Sequence, residues 1–130
     1  MGVIYLDSCV LIYAVERDDL QGRTVRRRMA ESGETFAISP LVRLECLVGA
    51  LRSNEVDLYH SYLRSFGQLE SVQLNDDIFV SAAHLRVNHR LKSPDALHLA
   101  AAIAGGCSAL WTNDDRLQAA AGEFAENVVR

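Results

Sequence analysis

The amino-acid sequence predicts an α/β fold: a three-layer α/β/α domain around a mostly parallel central sheet of four to five strands. Short runs of β-favouring apolar residues alternate with longer helical segments, and strands that alternate with helices form parallel sheets. The first run, Val3–Leu6, is apolar throughout, which is typical of a strand covered on both faces. A length of 130 residues suits one domain, so we expect residues 1–130 to form a single unit.

Turn and helix-ending residues divide the N-terminal part of the chain into alternating strands and helices. Asp7 follows the first strand, and the apolar residues after Ser8 favour a helix. Gly33 is typical of the residue that ends a helix in the left-handed conformation. The predicted elements are a strand over Val3–Leu6, helices from Ser8 to about Glu16 and from Arg23 to Ser32, and a short strand from Thr35 to Ile38.

Two serine-proline pairs mark helix starts, because serine is a preferred N-cap and proline suits the first helical position. Ser39-Pro40 precedes apolar residues at helical spacing, and Ser93-Pro94 precedes a helix that Gly105-Gly106 ends. The predicted elements from Pro40 to His89 are a helix from Pro40, a helix between Ser53-Asn54 and Gly67, a strand from Ser71 to Leu74 and a helix from Asn75 to His89. Those that follow are a helix from Asp95 to Ala104, a strand from Ala109 to Thr112, a short helix after Asn113-Asp114 that reaches about Gly122, and an edge strand from Asn127 to Val129.

Composition and charge narrow the class of protein. The chain is 49% hydrophobic and 23% charged, contains no apolar run long enough to span a bilayer, and begins without a basic leader, so we expect a cytoplasmic protein without a membrane partner. Its three cysteines are odd in number and widely spaced, which fits neither a disulfide framework nor a zinc site. The net charge is −4. If the four acids proposed below as metal ligands are set aside, the remaining acidic residues equal the 13 basic residues in number. Charge therefore neither supports nor excludes RNA as a substrate.

Four acids are the candidate metal ligands. Asp7 and Asp114 follow apolar strands, Asp95 opens a helix and Glu45 lies beside the apolar stripe of another. In parallel sheets, ligand sites gather beyond the carboxyl ends of the strands, where all four side chains can meet. Clustered carboxylates repel one another unless a cation is bound, and oxygen ligands suit Mg²⁺ or Mn²⁺.

Each acid also has a purely structural interpretation. Asp7 and Asp114 are candidate N-caps for the helices that follow them, and Asp95 is favoured by the helix dipole in a first turn. Glu45 has a salt bridge to an arginine as its alternative.

Several neighbouring residues are candidates for supporting roles. Ser8 and Thr112 are placed to hydrogen-bond a carboxylate or a metal-bound water, although local turn bonds are an equal alternative. Asn113 and Asp115 flank Asp114. Asp115 is a spare acid that could touch the metal through water, but an exposed helix-start aspartate is its favoured interpretation. His98 lies one turn after Asp95; packing on the helix with a local hydrogen bond is its favoured interpretation, and a role as ligand or general base is the alternative. The candidate RNA contacts, which precede the Asp95 helix, are Arg86, Arg90 and Lys92.

The motifs resemble the PIN-domain family and, within it, the VapC-type toxins of bacterial toxin–antitoxin pairs. The resemblance covers nearly the whole chain and depends on the order and spacing of the motifs together. They are Val3-Ile4-Tyr5-Leu6-Asp7-Ser8 followed by Val10-Leu11-Ile12-Tyr13, Ser39-Pro40 with Arg43-Leu44-Glu45, Ser93-Pro94-Asp95-Ala96-Leu97-His98-Leu99-Ala100, and Leu110-Trp111-Thr112-Asn113-Asp114.

The resemblance implies a metal-dependent endoribonuclease. On this basis Asp7, Glu45, Asp95 and Asp114 would bind Mg²⁺ or Mn²⁺, and a metal-activated water would hydrolyse RNA. It also implies a homodimer and a small cognate antitoxin protein that blocks the site. A family difference is that Leu117 stands where an aromatic residue often follows the fourth acid.

Three other interpretations remain open. A phosphoryl-accepting receiver would have paired acids after the first strand and a lysine after a late strand, whereas Lys92 is the only lysine and precedes a helix. A haloacid-dehalogenase-like phosphatase would have Asp-x-Asp after the first strand, where Cys9 takes the second position. The third is a catalytically silent PIN-like binding module, against which the intact set of four acids argues.

Overall fold

Five parallel strands form the centre of the structure, a computed structural model in which residues 2–129 are described. Their order across the sheet is β3-β2-β1-β4-β5, and in register Ile4 of β1 lies beside Phe36 of β2 and Ala109 of β4. The strands are β1 (Val3–Leu6), β2 (Thr35–Ile38), β3 (Glu70–Ser71), β4 (Ala109–Thr112) and β5 (Ala125–Asn127).

Seven α-helices in the described range pack around this sheet. Helices α1 to α4 contact one another, while α5 pairs with α6 and α6 meets α7. The result is the three-layer α/β/α arrangement that the sequence predicts. The helices are α1 (Ser8–Glu16), α2 (Leu20–Ser32), α3 (Pro40–Arg52), α4 (Val56–Phe66), α5 (Asp76–His89), α6 (Ser93–Ala104) and α7 (Asp115–Ala121), followed by a 3-10 turn over Gly122–Phe124.

Most predicted elements are confirmed, and the differences have local causes. Helix α2 begins at Leu20 rather than Arg23, because the Asp19 carboxylate caps it by accepting a hydrogen bond from the Gly22 amide at 3.0 Å. Helix α6 begins at Ser93, and its N-cap is Lys92. Gly33 does end α2, in the left-handed conformation at φ 68°.

Two predicted strands are displaced along the chain. The strand predicted from Ser71 to Leu74 lies at Glu70–Ser71, and the edge strand predicted from Asn127 to Val129 lies at Ala125–Asn127. Val128 and Val129 are buried although they follow the last strand. Val128 and Val129 therefore mark burial in the core rather than pairing in the sheet.

The core is formed by the apolar strands and the helix faces that cover them. Tyr5, Leu6, Ile38 and Leu110, from three neighbouring strands, are fully buried. All three cysteines are free; Cys46 and Cys107 are buried and Cys9 is half-buried. Within residues 2–129, none of the helices combines the length and the apolar character needed to cross a bilayer.

Candidate active site

Buried polar side chains concentrate at one edge of the sheet. In the described part of the chain, the buried polar or charged residues are Asp7, Ser39, His98 and Thr112. Asp7 and Ser39 follow β1 and β2, and Thr112 ends β4, three strands that lie side by side. Since the carboxyl ends of parallel strands share one edge, the topology brings these side chains together there.

Asp7 is fixed by a side chain from the neighbouring strand. It occupies the N-cap position of α1, but its carboxylate makes no cap hydrogen bond. Instead, Thr112 Oγ1 donates to Asp7 Oδ2 at 2.8 Å, and Ser8 Oγ lies 3.4 Å from Oδ1. Thr112 Oγ1 also accepts from the Asp114 amide at 3.0 Å. One threonine hydroxyl thus links two of the four candidate acids.

Glu45 is held by a histidine rather than by an arginine. His98 Nε2 lies 2.6 Å from Glu45 Oε1 and 3.6 Å from Asp7 Oδ1. Partial burial by itself would raise the pKa of Glu45, but the hydrogen bond from His98 holds that pKa below its ordinary value. The carboxylate is therefore ionised at neutral pH, and among residues 2–129 its ion-pair partner is His98 rather than the arginine considered as an alternative.

His98 is the centre of a buried hydrogen-bond chain. Its ring is 1% exposed, Nδ1 lies 2.8 Å from the Tyr5 hydroxyl, and that hydroxyl lies 2.7 Å from Ser39 Oγ. Burial alone would lower the pKa of His98, but the hydrogen bond to Glu45 and the charge of Asp7 raise it. The chain Ser39–Tyr5–His98–Glu45 orients one acid from the interior of the protein.

The sequence analysis did not identify Tyr5 and Ser39 as members of this hydrogen-bond chain. Ser39 is the N-cap residue of α3, as predicted, but its hydroxyl bonds Tyr5 and makes no cap hydrogen bond. The available signal was a tyrosine within a strand predicted to be covered on both faces, because a buried hydroxyl requires a partner.

Asp95 and Asp114 complete the acidic cluster. Asp114 caps α7, since its Oδ1 accepts from the Leu117 amide at 2.9 Å, so the structural interpretation of this residue is correct as far as it goes. Asp95 lies in the first turn of α6. Partial burial raises its pKa, and the negative charges of Asp114 and Asp7 raise it further. The four carboxylates therefore lie close enough to repel one another.

The donor set fits a hard divalent cation. All four ligands would be carboxylate oxygens, which hard cations prefer, and the pKa of Asp95 is raised first by partial burial and then by the charges of Asp114, Asp7 and Glu45. Between residues 2 and 129, however, no three His, Cys, Asp or Glu side chains are gathered closely enough to chelate one ion as they stand. Ion binding would thus require these side chains to close in on the cation.

The remaining predicted residues lie around this cluster with different environments. Arg86 donates to the Leu91 carbonyl at 3.0 Å and to Ser93 Oγ at 2.9 Å, so it fixes the α5–α6 loop. Arg90 and Lys92 are exposed in that loop. Next to Asp114, Asn113 is half-buried and Asp115 is exposed in the first turn of α7.

Comparison with known proteins finds a family and several similar structures. The family model of the PIN domain matches residues 4–123. A toxin–antitoxin complex from Klebsiella pneumoniae is 21% identical, with a TM-score of 0.79 over 95% of this chain and 96% of that chain. VapC20 of Mycobacterium tuberculosis, described as a toxin that cleaves the sarcin-ricin loop, is 18% identical, with a TM-score of 0.79 over 96% and 98%.

A third similar structure is VapBC2 from Rickettsia felis, bound to a DNA fragment from its promoter. It is 21% identical, with a TM-score of 0.75 over 96% of this chain and 98% of that chain. At these identities the similarity shows a shared fold. No curated protein matches the sequence at a significant level.

Proposed function

The chain belongs to the PIN domain family, and from this membership we propose that it is a Mg²⁺- or Mn²⁺-dependent endoribonuclease, the toxin of a toxin–antitoxin pair. The observation that supports the proposal is the proximity of the candidate acids. Thr112 Oγ1 bonds the Asp7 carboxylate and the Asp114 amide, His98 Nε2 lies near both Asp7 and Glu45, and the charges of these three acids act on Asp95. The four acids come from four separate parts of the chain, and their mutual repulsion is the property a cation would relieve.

These four carboxylates are the groups that would hold the metal ion. The ion would activate a water as nucleophile and neutralise charge that develops on the phosphodiester. Thr112 orients Asp7 through its hydroxyl, and His98 orients Glu45 through Nε2. Such outer hydrogen bonds keep ligand side chains in place, so Thr112 and His98 act as positioning residues.

The biological setting is inferred from the similar structures. Two are described as VapBC or toxin–antitoxin complexes and one as an RNA-cleaving toxin. We therefore infer a small antitoxin protein as partner, a homodimer as the assembly and the cytoplasm as the location. Arg90 and Lys92, exposed beside the Asp95 helix, are the inferred RNA contacts, whereas Arg86 acts through the loop that carries them.

RNA cleavage by the purified protein tests the proposal. We expect the protein to cut RNA when Mg²⁺ or Mn²⁺ is present and to lose this activity with EDTA. Asp7→Asn and Asp95→Asn should each reduce cleavage by about a hundredfold or more, because each removes a charge that would hold the metal. Asp57→Asn makes the same chemical change at an exposed site on α4 and should leave cleavage unchanged.

Induced expression extends the test to cells. The wild-type protein should arrest growth, and the two active-site variants should not. Equal growth with the wild type and both variants, together with no metal-dependent cleavage of any RNA, would identify the chain as a silent binding module instead. Co-purification of a small partner protein tests the antitoxin separately.

A further inference from the structure

A basic groove lies between the end of α5 and one face of α7. It has a volume of about 410 Å³ and is lined by His89, Arg90, Arg116, Ala119 and Ala120. Every lining residue is thus either basic or an alanine. Since α5 and α7 are separated by the whole of α6 and β4 in sequence, only the folded chain creates this groove.

The two arginines of the groove have charges available for a ligand. Both side chains are exposed, and within the described range neither takes part in an ion pair. Arg17 and Arg28, by contrast, are paired with acidic side chains of this chain. In a protein with a net charge of −4, such a concentration of unpaired positive charge marks a local site for an anion.

The two arginines of the groove are close in sequence to two of the four acids. Arg116 lies two residues after Asp114, and Arg90 lies five residues before Asp95. Asp95 and Asp114 are near enough to influence each other electrostatically. Asp114 caps α7, and the first turn of that helix carries Arg116, so an extended anion bound at the acids would have one wall of the groove beside it.

Arg90 has a backbone conformation that is unfavourable for residues with a side chain. As the C-cap residue of α5 it has φ 55° and ψ 37°, the left-handed region in which glycine is the usual residue. Keeping a side chain there costs stability, and strained residues concentrate at functional sites. Arg90 is therefore a candidate for a functional side chain.

We propose that this groove, formed by His89, Arg90 and Arg116, binds the phosphodiester backbone of the RNA strand next to the bond that is cut. The proposal rests on the proposed ribonuclease function and adds a binding site for the strand. Arginine suits this role because its planar fork of donors matches phosphate oxygens. A phosphate-binding groove holds the strand in position without reading its bases, so binding should be strongly salt-dependent and largely independent of sequence.

The test measures binding of a fluorescein-labelled single-stranded RNA by anisotropy over a range of salt concentrations. An Asp7→Asn background keeps the RNA intact. Arg90→Gln and Arg116→Gln should each weaken binding by about tenfold. Each should also reduce the slope of log affinity against log salt by about 0.7, the value for one contact to a single strand. Arg27→Gln, at an exposed site on α2, makes the same change away from the groove and should leave the slope unaltered.

A second variant separates loss of the contact from loss of folding. Arg90→Gly removes the guanidinium but suits the left-handed backbone, so it should raise the thermal midpoint by about 4 °C while weakening RNA binding as much as Arg90→Gln. In the active enzyme, Arg116→Gln should raise KM by about tenfold and leave kcat near its wild-type value, because it removes uniform binding.

Four results would overturn the inference. Unchanged affinity and salt slope in the groove variants, when the wild-type protein cuts RNA, would reject the groove alone. An equal effect of Arg27→Gln would show that diffuse charge is responsible. Intact RNA binding combined with loss of a co-purifying protein would assign the groove to an acidic segment of that partner. Absence of metal-dependent RNA cleavage by the wild type would instead reject the proposed function, and the groove's role with it.

Discussion

Replacing Tyr5 by phenylalanine removes one hydroxyl from the interior of the protein. Tyr5 is completely buried, and its hydroxyl lies 2.7 Å from Ser39 Oγ and 2.8 Å from His98 Nδ1. Phenylalanine fills the same space apart from this oxygen, so the cavity it leaves is small. The main consequence is that two buried polar atoms lose a partner.

The magnitude follows from what each of these atoms can do next. A buried polar atom without a partner costs about 1–3 kcal/mol. Ser39 precedes α3 and can turn its hydroxyl to the free amides of the first helical turn, which recovers part of its loss. His98 Nδ1 belongs to a ring that is 1% exposed, so this atom cannot reach water as a replacement partner. We expect a net loss of about 2–3 kcal/mol in the free energy of unfolding, equivalent to about 7–11 °C in the thermal midpoint.

Urea and thermal unfolding at neutral pH with EDTA measure this loss. Tyr59→Phe makes the same chemical change on a half-buried face of α4 and should shift the free energy of unfolding by less than about 0.5 kcal/mol. Ser39→Ala should lower the free energy of unfolding by about 1 kcal/mol. The double variant should lose less than the sum of the two single variants, because both substitutions break the same hydrogen bond between Tyr5 and Ser39.

The same substitution should also weaken metal binding at the proposed site. Without Tyr5 the His98 ring is no longer fixed at Nδ1, so Glu45 loses its orientation and affinity for Mg²⁺ should fall by about tenfold or more. If the Tyr5→Phe protein is as stable as the Tyr59→Phe protein and its Mg²⁺ affinity is unchanged, the hydrogen-bond chain through Tyr5 and His98 does not position Glu45.

Other substitutions test the acidic cluster and the packing of the fold. Because folding raises the pKa of Asp95, the ionised form of this residue opposes folding. Asp95→Asn should therefore raise the thermal midpoint in EDTA at pH 7. This gain should vanish at a pH below the ordinary pKa of aspartate, where Asp95 is protonated in both the folded and the unfolded state. Mg²⁺ should raise the midpoint of the wild type more than that of Asp95→Asn, and equal shifts in thermal melts would argue against a metal role. Gly22→Ala would place a Cβ 2.0 Å from the Arg17 carbonyl oxygen and should cost about 3 kcal/mol in urea unfolding. Gly49→Ala meets no atom within 4 Å on α3 and should instead stabilise by about 1 kcal/mol; a loss at Gly49 would contradict the helix assignment.

Local signals were sufficient for most of the fold. The bounds of β1, β2 and β4 agree with the prediction because each strand is a short apolar run between turn or capping residues. Helix ends at Gly33 and Gly105 agree for the same reason. The sheet-edge strands were placed less well, since Val128 and Val129 are buried without pairing and so imitate a strand in the sequence.

By itself the sequence determined the fold class, the order of the elements and the four acids at the ends of strands and on helices, because hydrophobic periodicity and capping act between residues close in the chain. Only the tertiary structure decided what holds those acids. Tyr5 and His98 are 93 positions apart, as the hydrogen bond between them shows, and His98 reaches Glu45 across 53. The groove likewise joins Arg90 to Arg116. Contacts of this kind depend on how helices pack against the sheet, and packing geometry leaves no periodic trace in the sequence.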